Sequence, residues 1–236
     1  MGKLENKRLE DIAQNSLYGF GVNEQTIKYC YKVFKRFLNK GSVLELGPAE
    51  GVMTNLLIND FSDVTVVEGS EIFCNNLKNK YPSIKVENSL FECYKPDRKF
   101  KNIILGHILE HVLDPHLLLK NCRDWLDDNG VVLVAVPNSR SIHRQAAVII
   151  NLLDNEDTLN EMDIHHGHRR IYNPEMFRYE FKKSGLKIDY FGGFWLKPIS
   201  NIQIEKYWTD DMVNSFMMLG ERYPDIAAMI YIIASK

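Results

Sequence analysis

From residue 42 onward, short apolar runs alternate with stretches whose apolar residues return every three or four positions. The runs fall near 42–46, 63–67, 84–87, 101–106 and 130–136, and the helical patterns near 51–59, 70–80 and 114–127. A run such as Val131 to Val136 has no polar alternation, as expected of a parallel strand covered on both faces. Strand and helix in strict alternation predict a doubly wound α/β sheet. Ahead of it, Ile27, Cys30, Tyr31, Phe34, Phe37 and Leu38 place a helix over 24–38, and the first 22 residues are mixed, with Tyr18-Gly19-Phe20-Gly21 as an aromatic–glycine segment.

The rhythm changes after Pro137. Residues 139–153 read as helix, 154–168 as polar and irregular, and 174–184 as helix with Asn173 at the N-cap and Pro174 in the first turn. Gly185 ends that helix, Leu186 to Phe191 is a sixth strand, and Ala227 to Ala234 is a seventh. Residues 196–225 form a long, partly helical insertion between the two strands.

Composition adds limits. With 236 residues, 45% hydrophobic and 25% charged, the chain has material for one full core. A formal net charge of −2 gives no general pull toward nucleic acid or an anionic membrane, and no apolar run approaches the roughly 20 residues of a spanning helix. The polar start lacks a secretory apolar region, and Asn6 stands where a myristoylation signal following Met1-Gly2 wants Ser or Thr. Cys30, Cys74, Cys93 and Cys122 have no metal-ligand spacing and are expected to stay reduced. The expectation is a cytoplasmic protein, monomer or homodimer, acting on a small molecule, with no nucleic-acid or membrane partner.

The chemistry begins at Val43-Leu44-Glu45-Leu46-Gly47-Pro48-Ala49-Glu50-Gly51, a buried strand running into a small-residue turn and a helix. Gly47 and Gly51 allow a backbone approach that a Cβ would block. The next strand, Val64 to Val67, ends on Glu68, 17 residues beyond Gly51 and placed to accept from two ribose hydroxyls. A dinucleotide fingerprint would have glycine where Ala49 stands, and Glu45 would repel a pyrophosphate while attracting a cation, directly or through water.

Glu45-x-Gly47-x-x-x-Gly51 resembles motif I of class I S-adenosylmethionine (SAM) methyltransferases, although Pro48 and Ala49 depart from the commoner Gly-x-Gly core. A second segment, Gly106-His107-Ile108-Leu109-Glu110-His111-Val112-Leu113-Asp114-Pro115, is similar to the turn after the fourth strand in bacterial small-molecule methyltransferases. The chain therefore resembles the Methyltransf_23, ubiquinone-methylase-like group. The resemblance implies a seven-stranded Rossmann-like sheet with helical lid insertions, the seventh strand antiparallel beside the sixth. It implies a single domain over 1–236: an N-terminal lid and helix in 1–40, a cofactor-binding core in 41–138, and substrate-side insertions in 139–172 and 196–225.

Carried onto this chain, the resemblance assigns SAM contacts to Glu45, Gly47, Pro48, Ala49 and Gly51 of the turn, and to Glu68, Gly69 and Ser70 after the second strand. Asn88, Ser89 and Leu90 are assigned to the adenine, with Phe91 as either ring contact or core, and Tyr18 is to close over the cofactor's carboxylate. Gly106 and His107 face the methionine portion or the acceptor; Glu110 and His111 either position the acceptor or cap local backbone.

Asp163-Ile164-His165-His166-Gly167-His168-Arg169-Arg170-Ile171-Tyr172 is the densest polar stretch, and three readings of it stay open. Anion or substrate recognition by His168, Arg169, Arg170 and Tyr172 ranks ahead of general-base work by His165 or His166. Metal binding ranks last, because the histidines lack a carboxylate or cysteine companion nearby. Asn138 and Arg140 are further acceptor-side candidates, with His143 and Arg144 on the same basic face, and Phe194-Trp195 is a candidate aromatic wall of the pocket.

The expected reaction is O-methylation of a small polar acceptor, phosphorylated or sugar-linked, with His107, His111, His165 and His166 as candidate bases. The resemblance extends to methyltransferases of capsule and surface-glycan pathways, including those that decorate glycans with O-methyl phosphoramidate. The alternatives are N-methylation of a small metabolite or amino sugar, or a non-catalytic SAM-binding partner protein. A nucleic-acid methyltransferase is a weaker rival, for want of an Asn/Asp-Pro-Pro-Tyr-like motif and a basic footprint.

Overall fold

The computed structural model describes residues 2–236, with side chains from Leu4 onward, so the Met1-Gly2 signal lies outside the described side chains. Seven strands form one sheet: β1 (Val43–Leu46), β2 (Val64–Glu68), β3 (Lys85–Asn88), β4 (Phe100–Gly106), β5 (Leu126–Pro137), β6 (Lys187–Phe194) and β7 (Met229–Ser235). Their order is β3-β2-β1-β4-β5-β7-β6. β1 to β5 pair in parallel, and β7 lies antiparallel to both β5 and β6. The direction of winding reverses between β1 and β4, and the crevice opens there, outside the carboxyl ends of the strands.

Both faces of the sheet are covered, which is why all four residues of β1 and all five of β2 are buried. On one face lie α5 (Pro115–Trp125) and α8 (Pro174–Ser184), through Leu118, Leu119, Cys122, Phe177 and Phe181. On the other lie α2 (Gly21–Phe34), α3 (Val52–Asp60) and α4 (Glu71–Lys80), with α9 (Asn201–Tyr207) and α10 (Asp210–Gly220) from the late insertion. Local chemistry sets the helix starts: Ser70, Asp114 and Asn173 each accept an amide of the first turn, and Gly185 ends α8 at φ 77°.

Four readings of the sequence are corrected. The mixed N-terminal stretch contains a helix, α1 (Gly2–Gln14), seated on α4 by Glu10, which accepts from Ser70 Oγ (2.9 Å) and the Glu71 amide (2.6 Å). The helical reading of 139–153 shrinks to α6 (Ile142–Ile149), because Asn138 and Tyr172 form an isolated bridge that fixes the chain before it. The irregular stretch 154–168 holds a short helix, α7 (Glu161–His165), opened by reciprocal bonds between Asn160 and Asp163. β5 begins at Leu126, which is buried and pairs with Phe100 ahead of a register shift. Cys30, Cys74 and Cys122 are buried, Cys93 is exposed, and all four are free thiols.

Candidate active site

The cleft at the switch point is built from the two turns that leave β1 and β4. Three residues of the first turn hold positive φ: Gly47 at 65°, Ala49 at 47° and Gly51 at 76°. Gly47 is required on two counts, since a Cβ there would also stand 2.2 Å from Ile108 Cδ1. Ala49, with a side chain, stays in this costly region because its amide is tied to Glu68 Oε2 at 3.3 Å. Glu68 Oε1 accepts from the Ser70 amide at 2.9 Å. Each oxygen thus accepts one amide and retains capacity for another donor, and the carboxylate lines the cleft.

Glu45 also lines the cleft and accepts from Thr54 Oγ1 at 2.6 Å. Burial pushes the carboxyl groups of both Glu45 and Glu68 up to about 7. Two buried acids in one crevice form a site for a ligand bringing hydroxyl donors and positive charge. Apolar surface comes from Leu9 and Ile12 of α1, and from Met53, Phe73, Phe91 and Ile108. Counted out to its open mouth, the cleft encloses about 1200 Å³.

The far end of the cleft is polar. His107, the first residue after β4, has φ 63° and a buried Nε2 without a partner. Glu110 is fully buried, and neither of its oxygens has a hydrogen-bond partner. Its Oε1 lies 4.0 Å from His107 Nδ1 and 4.0 Å from His111 Nε2. Burial raises the Glu110 carboxyl to about 7, lowers His107 to about 4 and holds His111 well below the usual imidazole range. The ring of Tyr18 stacks on His166 with centroids 4.7 Å apart, and its hydroxyl donates to the His166 carbonyl at 3.0 Å.

Of the residues expected at the cofactor, Tyr18, Glu45, Gly47, Pro48, Ala49, Glu68, Gly106 and His107 meet in this cleft. Gly51 instead caps α3, Ser70 caps α4, and Gly69 packs against Leu9 and Leu90. Two of the three residues expected at the adenine make local bonds at the rim. Asn88 donates to the carbonyls of Glu68 and Gly69 (3.1 and 3.3 Å), Ser89 Oγ donates to the Leu90 carbonyl (2.9 Å), and Phe91 lines the cleft.

Among the candidate bases, His107, His111 and His166 line the cleft, whereas His165 is exposed, with Nε2 3.1 Å from the Asn15 carbonyl. The acceptor-side residues are corrected most. His168 alone of them lines the cleft. Arg170 donates to the carbonyls of Leu109 (3.0 Å), Val112 (2.6 Å) and Leu113 (3.2 Å), and Arg169 donates to the His111 carbonyl (2.7 Å) and pairs with Glu5 (2.8 Å). Arg140 pairs with Glu175 on the surface (2.8 Å). Asn138 donates to the carbonyls of Asp225 and Ala227 (3.0 and 2.8 Å), and Tyr172 is fully buried with its hydroxyl 3.4 Å from the Leu109 carbonyl. Phe194 and Trp195 are core residues rather than pocket wall.

The sequence reading missed α1. Arg8 donates to the Gly167 carbonyl at 3.1 Å, so α1 crosses the cleft and joins α4 to the 163–170 segment. Its signal was Leu9 and Ile12, three apart, flanked by charge.

Sheet order and crevice define a Rossmann-like methyltransferase fold. A family model described as "Methyltransferase domain" matches residues 22–190, and the chain belongs to that family. The chain is 26% identical over 106 residues to a ubiquinone biosynthesis O-methyltransferase of Glaesserella parasuis, a match covering 41% of this chain and 45% of that protein. It is 27% identical over 97 residues to a probable SAM-dependent methyltransferase of Mycobacterium tuberculosis, covering 41% of this chain and 35% of that one. These matches therefore span less than half the length of either relative. Among solved structures, a SAM-dependent methyltransferase from Mesorhizobium loti superposes with a TM-score of 0.65 at 14% identity, over 88% of this chain and 98% of that one.

SAM is the cofactor, and the chemistry of the cleft fits it: Glu68 offers a carboxylate to hydroxyl donors, the Gly47–Ala49 turn a backbone open to close approach, Phe91 an apolar ring and Glu45 a second buried acid. No helix among the described residues is long and apolar enough to cross a membrane.

Proposed function

We propose that this chain transfers the methyl group of SAM to an oxygen of a small hydroxylated acceptor, sugar-linked and of the capsule or surface-glycan class. Bound SAM supplies an electrophilic methyl; the protein's task is to bring the acceptor oxygen into line with it and accept the proton it loses. The observation carrying the reading is the division of one cleft into a carboxylate-lined nucleoside end and a histidine-lined far end. Burial keeps His107, His111 and His166 uncharged at neutral pH, so each ring can accept a hydrogen bond from an acceptor hydroxyl and turn its oxygen toward the methyl. A phosphorylated acceptor loses its support, because Arg169 and Arg170 are already bonded to the protein.

The test is formation of S-adenosylhomocysteine across a panel of nucleotide sugars, sugar alcohols, phosphorylated metabolites and amines. Turnover with hydroxylated sugars is expected. Turnover confined to amines would replace the reading with N-methylation. SAM binding without turnover on any acceptor would replace it with a non-catalytic SAM-binding role.

A further inference from the structure

The least satisfied group in the cleft is Glu110, a fully buried carboxyl whose two oxygens have no hydrogen-bond donor. Buried carboxylates in folded proteins are paired, hydrogen-bonded or bound to a cation, because desolvation without a partner is costly. What surrounds Glu110 is a set of imidazoles. His111 arrives from the same turn after β4, and His168 comes from a segment more than 50 residues away. Each of Glu110, His111 and His168 offers an atom lying within 4.8 Å of the other two. Three atoms bound at about 2.1 Å to one ion in tetrahedral geometry stand about 3.4 Å apart. The set therefore has to close by up to about 1.4 Å to share a cation.

The surroundings support ligation as well. Asp163 Oδ1 lies 3.3 Å from His168 Nδ1, and Asp163 is itself fixed by the Asn160 amide (3.0 Å) and Arg144 (3.1 Å). The two atoms are not in hydrogen-bonding geometry, and a small turn of the His168 ring into it would fix the tautomer and present the other nitrogen as a ligand. All three candidate ligands line the cleft, so a bound ion would keep open positions on the acceptor side.

We propose that Glu110, His111 and His168 form a three-ligand site for a borderline divalent transition metal, of the zinc, cobalt, manganese or iron(II) class, open toward the acceptor. Two imidazoles and one carboxylate favour these ions over magnesium or calcium, which prefer oxygen ligands. The site deepens the methyltransferase reading and depends on it only for the ion's role, which is to bind the acceptor hydroxyl and lower its pKa. Ion binding itself is independent of that reading. Glu110 and His111 are neighbours along the chain, and only the fold brings His168 to them.

The test is metal uptake by the full chain after chelator treatment, read by elemental analysis with zinc and by visible d–d absorption with cobalt(II). One ion per chain is expected, with affinity reduced at least tenfold in His168→Ala and in Glu110→Gln. Asp163→Asn, which removes the group behind His168, is expected to weaken uptake by about 10–100-fold. His165→Ala, outside the cleft, is expected to bind as the parent does. SAM affinity, measured on the same preparations, should be unchanged in His168→Ala, which separates loss of the metal site from loss of the fold. No stoichiometric uptake by the parent protein, or uptake indifferent to both His168→Ala and Glu110→Gln, overturns the proposal. Retained SAM binding in that event leaves the methyltransferase reading standing.

Discussion

The Glu68 carboxylate accepts a hydrogen bond from the backbone amide of Ala49, tying the tip of β2 to the turn after β1. The same contact holds Ala49 at positive φ and aims the carboxylate along the cleft. One side chain thus shapes the turn and presents a carboxylate to the cleft.

Replacing Glu68 by Ala is expected to weaken SAM binding by about 1–3 kcal/mol, the range for losing a charge-assisted hydrogen bond. Calorimetric titration measures it directly. A dissociation constant equal to that of the parent protein would remove Glu68 from the ribose site.

The pH dependence follows from the same burial. Glu45 and Glu68 hold their protons in the folded free protein up to about 7, above the ordinary 4.5. The stability they contribute is present below about 4.5 and is lost as pH rises toward about 7, while the unfolded chain ionises earlier. SAM wants both carboxylates charged, so its affinity should rise from pH 6 to pH 8, by up to about tenfold per unit for each group that must ionise. Calorimetry in buffers of different ionisation enthalpy should show protons released on binding; proton uptake would contradict the assignment.

Gly47→Ala should be costly twice over. A non-glycine residue at φ 65° costs about 1–2 kcal/mol, and the added Cβ meets Ile108 Cδ1 at 2.2 Å. Thermal unfolding should show a lower Tm together with weaker SAM binding. Combining it with Ile108→Ala should relieve the steric part of the SAM defect and leave the backbone part. If the double variant bound SAM no better than Gly47→Ala alone, the clash would not be a cause.

Arg170→Ala tests the corrected role of the basic cluster. Arg170 clamps the carbonyls of Leu109, Val112 and Leu113, so its loss should destabilise the fold by about 2–3 kcal/mol and reduce cofactor and acceptor affinity together. A raised acceptor KM with unchanged Tm and SAM affinity would restore the anion-binding role.

The parallel strands and the β1–turn–α3–β2 unit were legible because their signals are local: unbroken apolar runs, small residues in a turn, and an acid closing the next strand. The seventh strand's place beside the sixth came from the resemblance. The arginines misled because sequence displays their charge and conceals the carbonyls of 109–113 that occupy it. Phe91 was left between core and site because its neighbours in the cleft come from distant turns. α1 escaped because its apolar face is narrow, and its seat depends on Glu10 reaching the first turn of α4. Glu110 is unpartnered only in three dimensions.

The most direct measurement is a crystal structure of the protein with S-adenosylhomocysteine. The account predicts the adenosine in the crevice between the β1 and β4 turns, both ribose hydroxyls within hydrogen-bond distance of Glu68, and the base beside Phe91. An empty crevice at saturating ligand, or an adenosine bound away from Glu68, would contradict it.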